Sequence, residues 1–321
     1  MPATGHDLHI DVPLSNIVVA YRPYGMVADQ IAPMVPVDKM SNSYPIWSQA
    51  DYWRGEDDKR APGTEANKIE RGVSSDTYNC HNYALKESLT LEDRENMDDA
   101  YKSELRAGKA KYIKDKLVLN WEIRLAAQLT NTSNVGSSSA VASDWQDYTT
   151  GQSDPLSDMW SAIQNVQDAT GFYPNRCLMS ETPWRHFRRH ADVIDIIHGN
   201  SGAPKSSRYA TRENFKAIFD LETFIVAGAY ENSAEEGIAA SINQIWGDYV
   251  LVYFAPPAPS KEVPSFMYSF RWRKGSIPNM TVEVHPFDRK IKAEEVEVGY
   301  YQDEKIVSSA LGFLITNPTS V

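Results

Sequence analysis

A chain of 321 residues with 42% hydrophobic and 11% aromatic side chains can bury one large core or two ordinary ones, which excludes a disordered or fibrous class. Its 43 acidic against 32 basic residues leave a formal charge of −11, which argues against a dedicated nucleic-acid binder, since that needs clustered Lys and Arg. The two cysteines, Cys80 and Cys177, show no metal-ligand spacing, no apolar run approaches the length of about 18 residues that spans a membrane, and the N-terminus lacks a signal-peptide pattern. The sequence reads as a soluble, non-secreted protein with free thiols.

In chain order, Met1 to Val37 has prolines at 2, 13, 23, 33 and 36 among apolar residues such as Ile17, Tyr21, Tyr24 and Ile31. Proline forbids a helix here, so the segment is an extended arm that lies either on a neighbouring subunit or on its own domain. Two extended runs follow, Tyr44 to Trp53 and Thr77 to Leu89, flanking the charged stretch Arg54 to Gly72 with its Ala61-Pro62-Gly63 turn signal. This predicts a projecting β-hairpin that docks on a partner, because isolated hairpins are marginal in water; a disordered charged loop is the alternative. Candidate inter-subunit contacts are Trp47, Trp53, Arg54, Asp57, Asp58, Lys59 and Arg60. Deleting Ser48 to Gly72 is expected to leave a folded subunit that cannot close shells.

Thr90 to Thr130 reads as one long helix. Thr90 occupies an N-cap position with Asp93 three residues on, acids crowd the first turns, and lysines at 109, 111, 114 and 116 lie further along. Met97, Tyr101, Leu105, Ile113, Leu117, Trp121, Leu125 and Leu129 make one apolar stripe, which requires a sheet-like surface along its length. Gly108 is the place where it would bend or break.

A Ser-rich loop ends the helix. Leu156 to Thr170 is an amphipathic helix, Arg176 to Ser180 a strand, and a helix starting at Thr182-Pro183 carries Trp184 to Ile197 and closes at Gly199. Thr211 begins another helix, and Phe224 to Ala229 is a strand. The last third gives short strands at Asp248 to Ala255, Ser265 to Arg273, Met280 to His285, Glu295 to Tyr301, Ile306 to Ser308 and Leu311 to Thr316.

No catalytic constellation emerges. His186 and His190 stand i, i+4, but the Glu of the zinc-peptidase pattern and a third ligand are missing. The surrounding Arg and aromatic residues suit a solvated or inter-subunit face better than nucleic-acid stacking. No phosphate loop, nucleophile elbow or dinucleotide fingerprint is present, and no cofactor or metal is expected. A hydrolase using acids near the His186/His190 helix remains the reading from a different class.

This succession of elements resembles the major capsid proteins of tailed bacteriophages, which share the HK97-like fold. The resemblance implies an α+β subunit with an extended N-arm (1–37), a projecting β-hairpin loop (38–76), a peripheral domain with a long spine helix (77–143), a mixed α/β axial domain (144–246) and a β-rich return (247–321). Ile245-Trp246-Gly247-Asp248 and the run Ala310 to Asn317 are similar to segments that run back into the peripheral domain. The family implies pentamers and hexamers tiling an icosahedral shell around double-stranded DNA, without sequence-specific binding, in a virion assembled in the host cytoplasm. It further implies a portal, a decoration protein in some members and, since the chain starts almost at the arm, a separate scaffolding protein. Lys59 and Lys68 lie where some members cross-link, but no matching asparagine or glutamate is found, so cross-linking is not expected. An encapsulin-type compartment shell is the alternative within the same fold; the proline-rich arm tilts against it.

Overall fold

The computed structural model describes residues 25–47, 51, 53–70, 72–96, 99–148, 153–198, 209–259, 263–273 and 280–319. A short helix α1 (Ala28–Ile31) leads into β1 (Met34–Val37) and β2 (Ser41–Trp47), and the chain returns through β3 (Val73–Asn79) and β4 (His81–Thr90). Helices α2 (Leu91–Glu95) and α3 (Asp99–Leu129) follow, then β5 (Ser137–Ala140), α4 (Pro155–Thr170), β6 (Arg176–Ser180), α5 (Glu181–Phe187), α6 (Ala191–His198) and α7 (Arg212–Phe219). Next come β7 (Thr223–Ala227) and the pair β8 (Tyr230–Asn232) and β9 (Ile242–Gln244). The chain finishes with β10 (Tyr249–Tyr253), β11 (Met267–Trp272), β12 (Thr281–Asp288), β13 (Ala293–Ile306) and β14 (Gly312–Thr316). The first 24 residues, most of the expected arm, lie outside the described residues; the rest, expected to be free of helix because of its prolines, holds the short helix α1 between Pro23 and Pro33 and lies on its own chain through β1.

Two five-stranded sheets carry the molecule. In the first, β13 pairs along one edge with β4, from Ala293 opposite Thr90 to Gln302 opposite His81, and along the other with β12 and then β11; β1 adds in parallel to β11. The second runs β5-β14-β10-β6-β7, so strands from the end of the chain sit between strands from its middle. One face of this sheet is covered by α4, α5 and α7, which bury Met159, Ile163, Trp184, Phe187, Phe215 and Phe219. Phe215 stacks on Phe224 at 4.0 Å between centroids.

Helix α3 joins the two sheets. Ala110, Ile113, Leu117 and Val118 pack on Val282, Val296, Val298 and Tyr300 of the first sheet, while Trp121, Leu125, Ala126 and Leu129 pack with Leu178, Ile225, Leu251 and Leu314 of the second. From Ala107 to Leu129 the stripe thus has a sheet under it, and the 31 residues of α3 at 1.5 Å each give about 46 Å. Gly108 lies inside α3 without a break. The expected start is also observed, with Thr90 Oγ1 accepting the Asp93 N–H at 3.2 Å, but α2 ends at a C-cap on Asn96 and α3 begins at Asp99. The single helix expected over Thr90 to Thr130 is therefore two helices, with 97–98 outside the described residues.

Glu122 is the polar centre of the joint. It is fully buried, and its two oxygens accept the Val27 and Ala28 N–H groups at 3.0 and 2.8 Å and the Trp246 indole N–H at 2.6 Å. One side chain of α3 therefore satisfies the orphan amides at the start of α1 and ties them to the segment entering β10.

Two further expectations need correction. The helix expected from Thr182 to Gly199 is split into α5 and α6, because the Arg189 and His190 N–H groups bond only three residues back, to His186 and Phe187 carbonyls. Glu295 to Tyr301 and Ile306 to Ser308, expected as separate strands, belong to one 14-residue strand, β13, up to Ile306.

Burial pushes the carboxyls of Glu122, Asp158, Asp248 and Glu304 upward, partly offset by their hydrogen-bond or charge partners. Such groups bind protons more readily folded than unfolded, so their contribution is complete below the unfolded value of about 4 and is lost as pH rises through the raised values. Asp76, held low chiefly by the Thr77 N–H, and His186, held low by burial and by Arg185 and Arg189, act in the opposite sense. Asp76 titrates below pH 5 in both states, so of these groups only His186 loses as pH falls from 7.5 to 5 while the raised carboxyls gain, and melting over that range should show no loss; a fall of more than about 5 °C would contradict this balance.

Candidate assembly surface

The projecting arm begins from a fixed root. β2 and β3 pair antiparallel from Ser41 opposite Asn79 to Trp47 opposite Val73. At the base, Tyr78 stacks on Phe270 at 4.7 Å and Tyr44 leans on the same ring at 5.3 Å. Asp76 accepts the Tyr44 hydroxyl at 3.1 Å and pairs with Lys305 at 3.2 Å, while the Asn79 N–H donates to Asp303 at 2.9 Å. Cys80 is buried beside Phe270, and burial pushes its thiol up to about 11, which makes it a structural thiol rather than a nucleophile.

Beyond the root, residues 53–70 are exposed throughout. The hydrogen bonds seen among the described residues of 54–70 close within the loop. The Asp57 carboxylate accepts the Lys59 N–H at 3.1 Å and its carbonyl accepts the Asn67 amide at 2.8 Å, so Asp57 joins the two limbs. Arg60 bonds the Thr64 carbonyl, across a turn in which Gly63 takes a φ of +81° that only glycine adopts at low cost. Arg54 pairs with Asp51 at 3.4 Å and Lys68 with Glu70 at 2.6 Å, both too exposed to stabilise much. Of the residues singled out from the sequence, Arg54, Asp57, Asp58, Lys59 and Arg60 share this tip. Trp47 lies at the end of β2. Trp53 faces a different way, donating its indole N–H to the Thr170 carbonyl of the same chain at 3.0 Å.

The two histidines do not form a pair. His186 shares a 2.6 Å hydrogen bond with the Tyr148 hydroxyl, whereas His190 lies past the end of α5, fully buried, with Nε2 2.8 Å from Ser153 Oγ. Asp192 stands 3.6 Å from the other ring nitrogen, so the residue types echo a hydrolytic triad. The arrangement cannot work as one: Ser153 is itself buried and spends its proton on the Asp147 carbonyl. No group of three His, Cys, Asp or Glu residues suited to a metal occurs among the described residues.

Glu122 and the seat of Trp53 escaped sequence reasoning. An acid standing four residues after Val118 and three before Leu125, inside an apolar stripe, was the available signal for Glu122. Nothing local marks the other.

A long helix bridging two sheets, with a hairpin arm thrown out from one of them and the chain end woven into the other, is the HK97-like fold of phage capsid subunits. The chain is 22% identical over 312 residues to the major capsid protein of Pseudomonas phage JBD67, covering 96% of each. Among solved structures it is similar to a phage-related protein from Bordetella bronchiseptica RB50, with a TM-score of 0.75, 22% identity, and 97% of this chain and 98% of that one covered. It is also similar to the capsid of the cyanophage P-SCSP1u, with a TM-score of 0.56, 12% identity, and coverage of 92% and 89%. No protein-family model matches the chain.

Proposed function

We propose that this protein is the major capsid protein of a tailed bacteriophage, the subunit whose copies build the icosahedral head. The observation that carries the reading is the end-to-end correspondence with the phage JBD67 protein, on a fold whose parts have no use in a monomer: an exposed charged arm anchored on a rigid root. The protein acts as a structural subunit with no catalytic role or cofactor, and its place is the virion.

Copies associate as pentamers and hexamers. In that reading residues 1–37 form an arm, 38–76 the extended loop, 77–143 the peripheral part with the spine helix, 144–246 the axial part and 247–321 the return. The tip carrying Arg54, Asp57, Asp58, Lys59 and Arg60 crosses onto an adjacent copy, where mixed charge selects register more than affinity. Assembly takes place in the host cytoplasm with a separate scaffolding protein, and the shell takes up a portal and, where present, decoration proteins. It encloses double-stranded DNA without reading its sequence. A net charge of −11 per subunit suits a wall from which DNA must be ejected.

Negative-stain electron microscopy with light scattering, on protein made with and without the candidate scaffold, tests this. Closed shells, rings of subunits or tubes are expected. A monodisperse monomer under both conditions would contradict the reading. Shells that retain enzyme rather than DNA when formed in infected cells would favour a compartment over a virus head.

A further inference from the structure

Trp53 is built into its own chain at a place where it can control the loop. It stands at the near end of the arm, a few residues past β2, and donates its indole N–H to the carbonyl of Thr170, the last residue of α4. That carbonyl belongs to the last turn of α4, whose carbonyls the helix itself does not supply with donors, and the indole N–H donates to it. The next residue is Gly171, left-handed at φ +72°, and a Cβ there would lie 2.7 Å from the indole ring. Phe172 then meets the indole edge-on at 6.1 Å and is itself packed on Phe254 at 5.2 Å, next to β10. The seat is therefore packed on both sides, and bare backbone at Gly171 is what admits the ring.

The arm is thus held at two points. Its root is pinned to the first sheet through β2, β3 and Phe270, and Trp53 is pinned to the end of α4, which packs on the second. Two points fix a direction. We propose that Trp53 is a positioning strut, working within one chain, that sets the angle at which residues 54–70 leave the body and so presents the charged tip to a neighbouring copy. This rests on the shell reading above. Pre-setting the direction raises the effective concentration of the tip at its target and removes ordering entropy from the docking step. Trp53 is 57% exposed, so it contributes more to orientation than to stability of the subunit.

Two measurements on the full chain test this. In the first, Trp53→Ala should leave the melting temperature of the free subunit within about 2 °C of the parent, as expected of a half-exposed contact, while the yield of uniform closed particles falls at least about fivefold and open or irregular forms replace them. Normal particles from this variant would overturn the proposal. In the second, a photo-cross-linking benzoylphenylalanine is placed at position 172, leaving Trp53 intact, in particles assembled from a mixture of tagged and untagged chains. Linkage to Trp53 of the same chain is expected; linkage to Trp53 of another chain, or none to Trp53, would overturn the strut even if shells form. Failure of the parent chain to make particles with the candidate scaffold present would contradict the shell reading, and the strut with it.

Discussion

A chain in which residues 48–72 are replaced by Asn-Gly folds, melts within about 2 °C of the parent and makes no closed shells; changes confined to exposed surface seldom cost more. Trp47 and Val73 are paired across β2 and β3, so a two-residue turn can close the hairpin where the loop is removed. No residue of 53–70 is part of the buried core, and the root contacts of Tyr44, Tyr78 and Phe270 remain. What disappears is the charged tip, and with it the contact of Trp53 with Thr170. Sedimentation and electron microscopy beside a melting curve make the comparison, and shells of normal size from the shortened chain would remove the docking role of the loop. A chain that fails to fold would show instead that the loop supports the subunit.

Replacing Glu122 by alanine destabilises the subunit by at least about 3 kcal/mol, because three N–H donors, those of Val27, Ala28 and Trp246, are then left buried without an acceptor. Glu122→Gln is expected to be harmful too, since an amide NH₂ would face N–H groups in place of one carboxylate oxygen. Trp246→Phe withdraws one donor, so the double variant with Glu122→Ala should lose less than the sum of the singles, the mark of direct coupling. Urea unfolding of the parent and the four variants gives these values. A Glu122→Ala variant within about 1 kcal/mol of the parent would refute the view that this carboxylate joins α3 to α1 and to the strand entering β10.

The long helix was legible because its apolar stripe is periodic, whereas Thr90 with Asp93 marks the start of the short helix α2 that precedes it. The hairpin was legible from alternating aromatic residues on either side of a charged turn. Other features are set at a distance and leave no local trace. The break between α5 and α6 accompanies the bond of His190 to Ser153, 37 residues away in sequence, and Trp53 finds its seat 117 residues on. Strand β13 looked interrupted because Gln302-Asp303-Glu304-Lys305 reads as a polar turn. In the structure Gln302 is buried against Arg271 of β11, Asp303 accepts from Asn79 and Lys305 reaches Asp76, both on β3, and Glu304 accepts from Gln302, so each polar group has a partner. The tip residues Arg54 and Asp57 to Arg60 were recognisable as exposed charge, but their target lies on another molecule.

Cryo-electron microscopy of the assembled particle tests the central claim most directly. The account predicts rings of five and six subunits in which α3 and both sheets keep the arrangement described here, while residues 54–70 cross the seam onto an adjacent copy and Trp53 stays over Gly171 of its own chain. Particles with no such rings, or a tip that contacts only its own subunit, would contradict it.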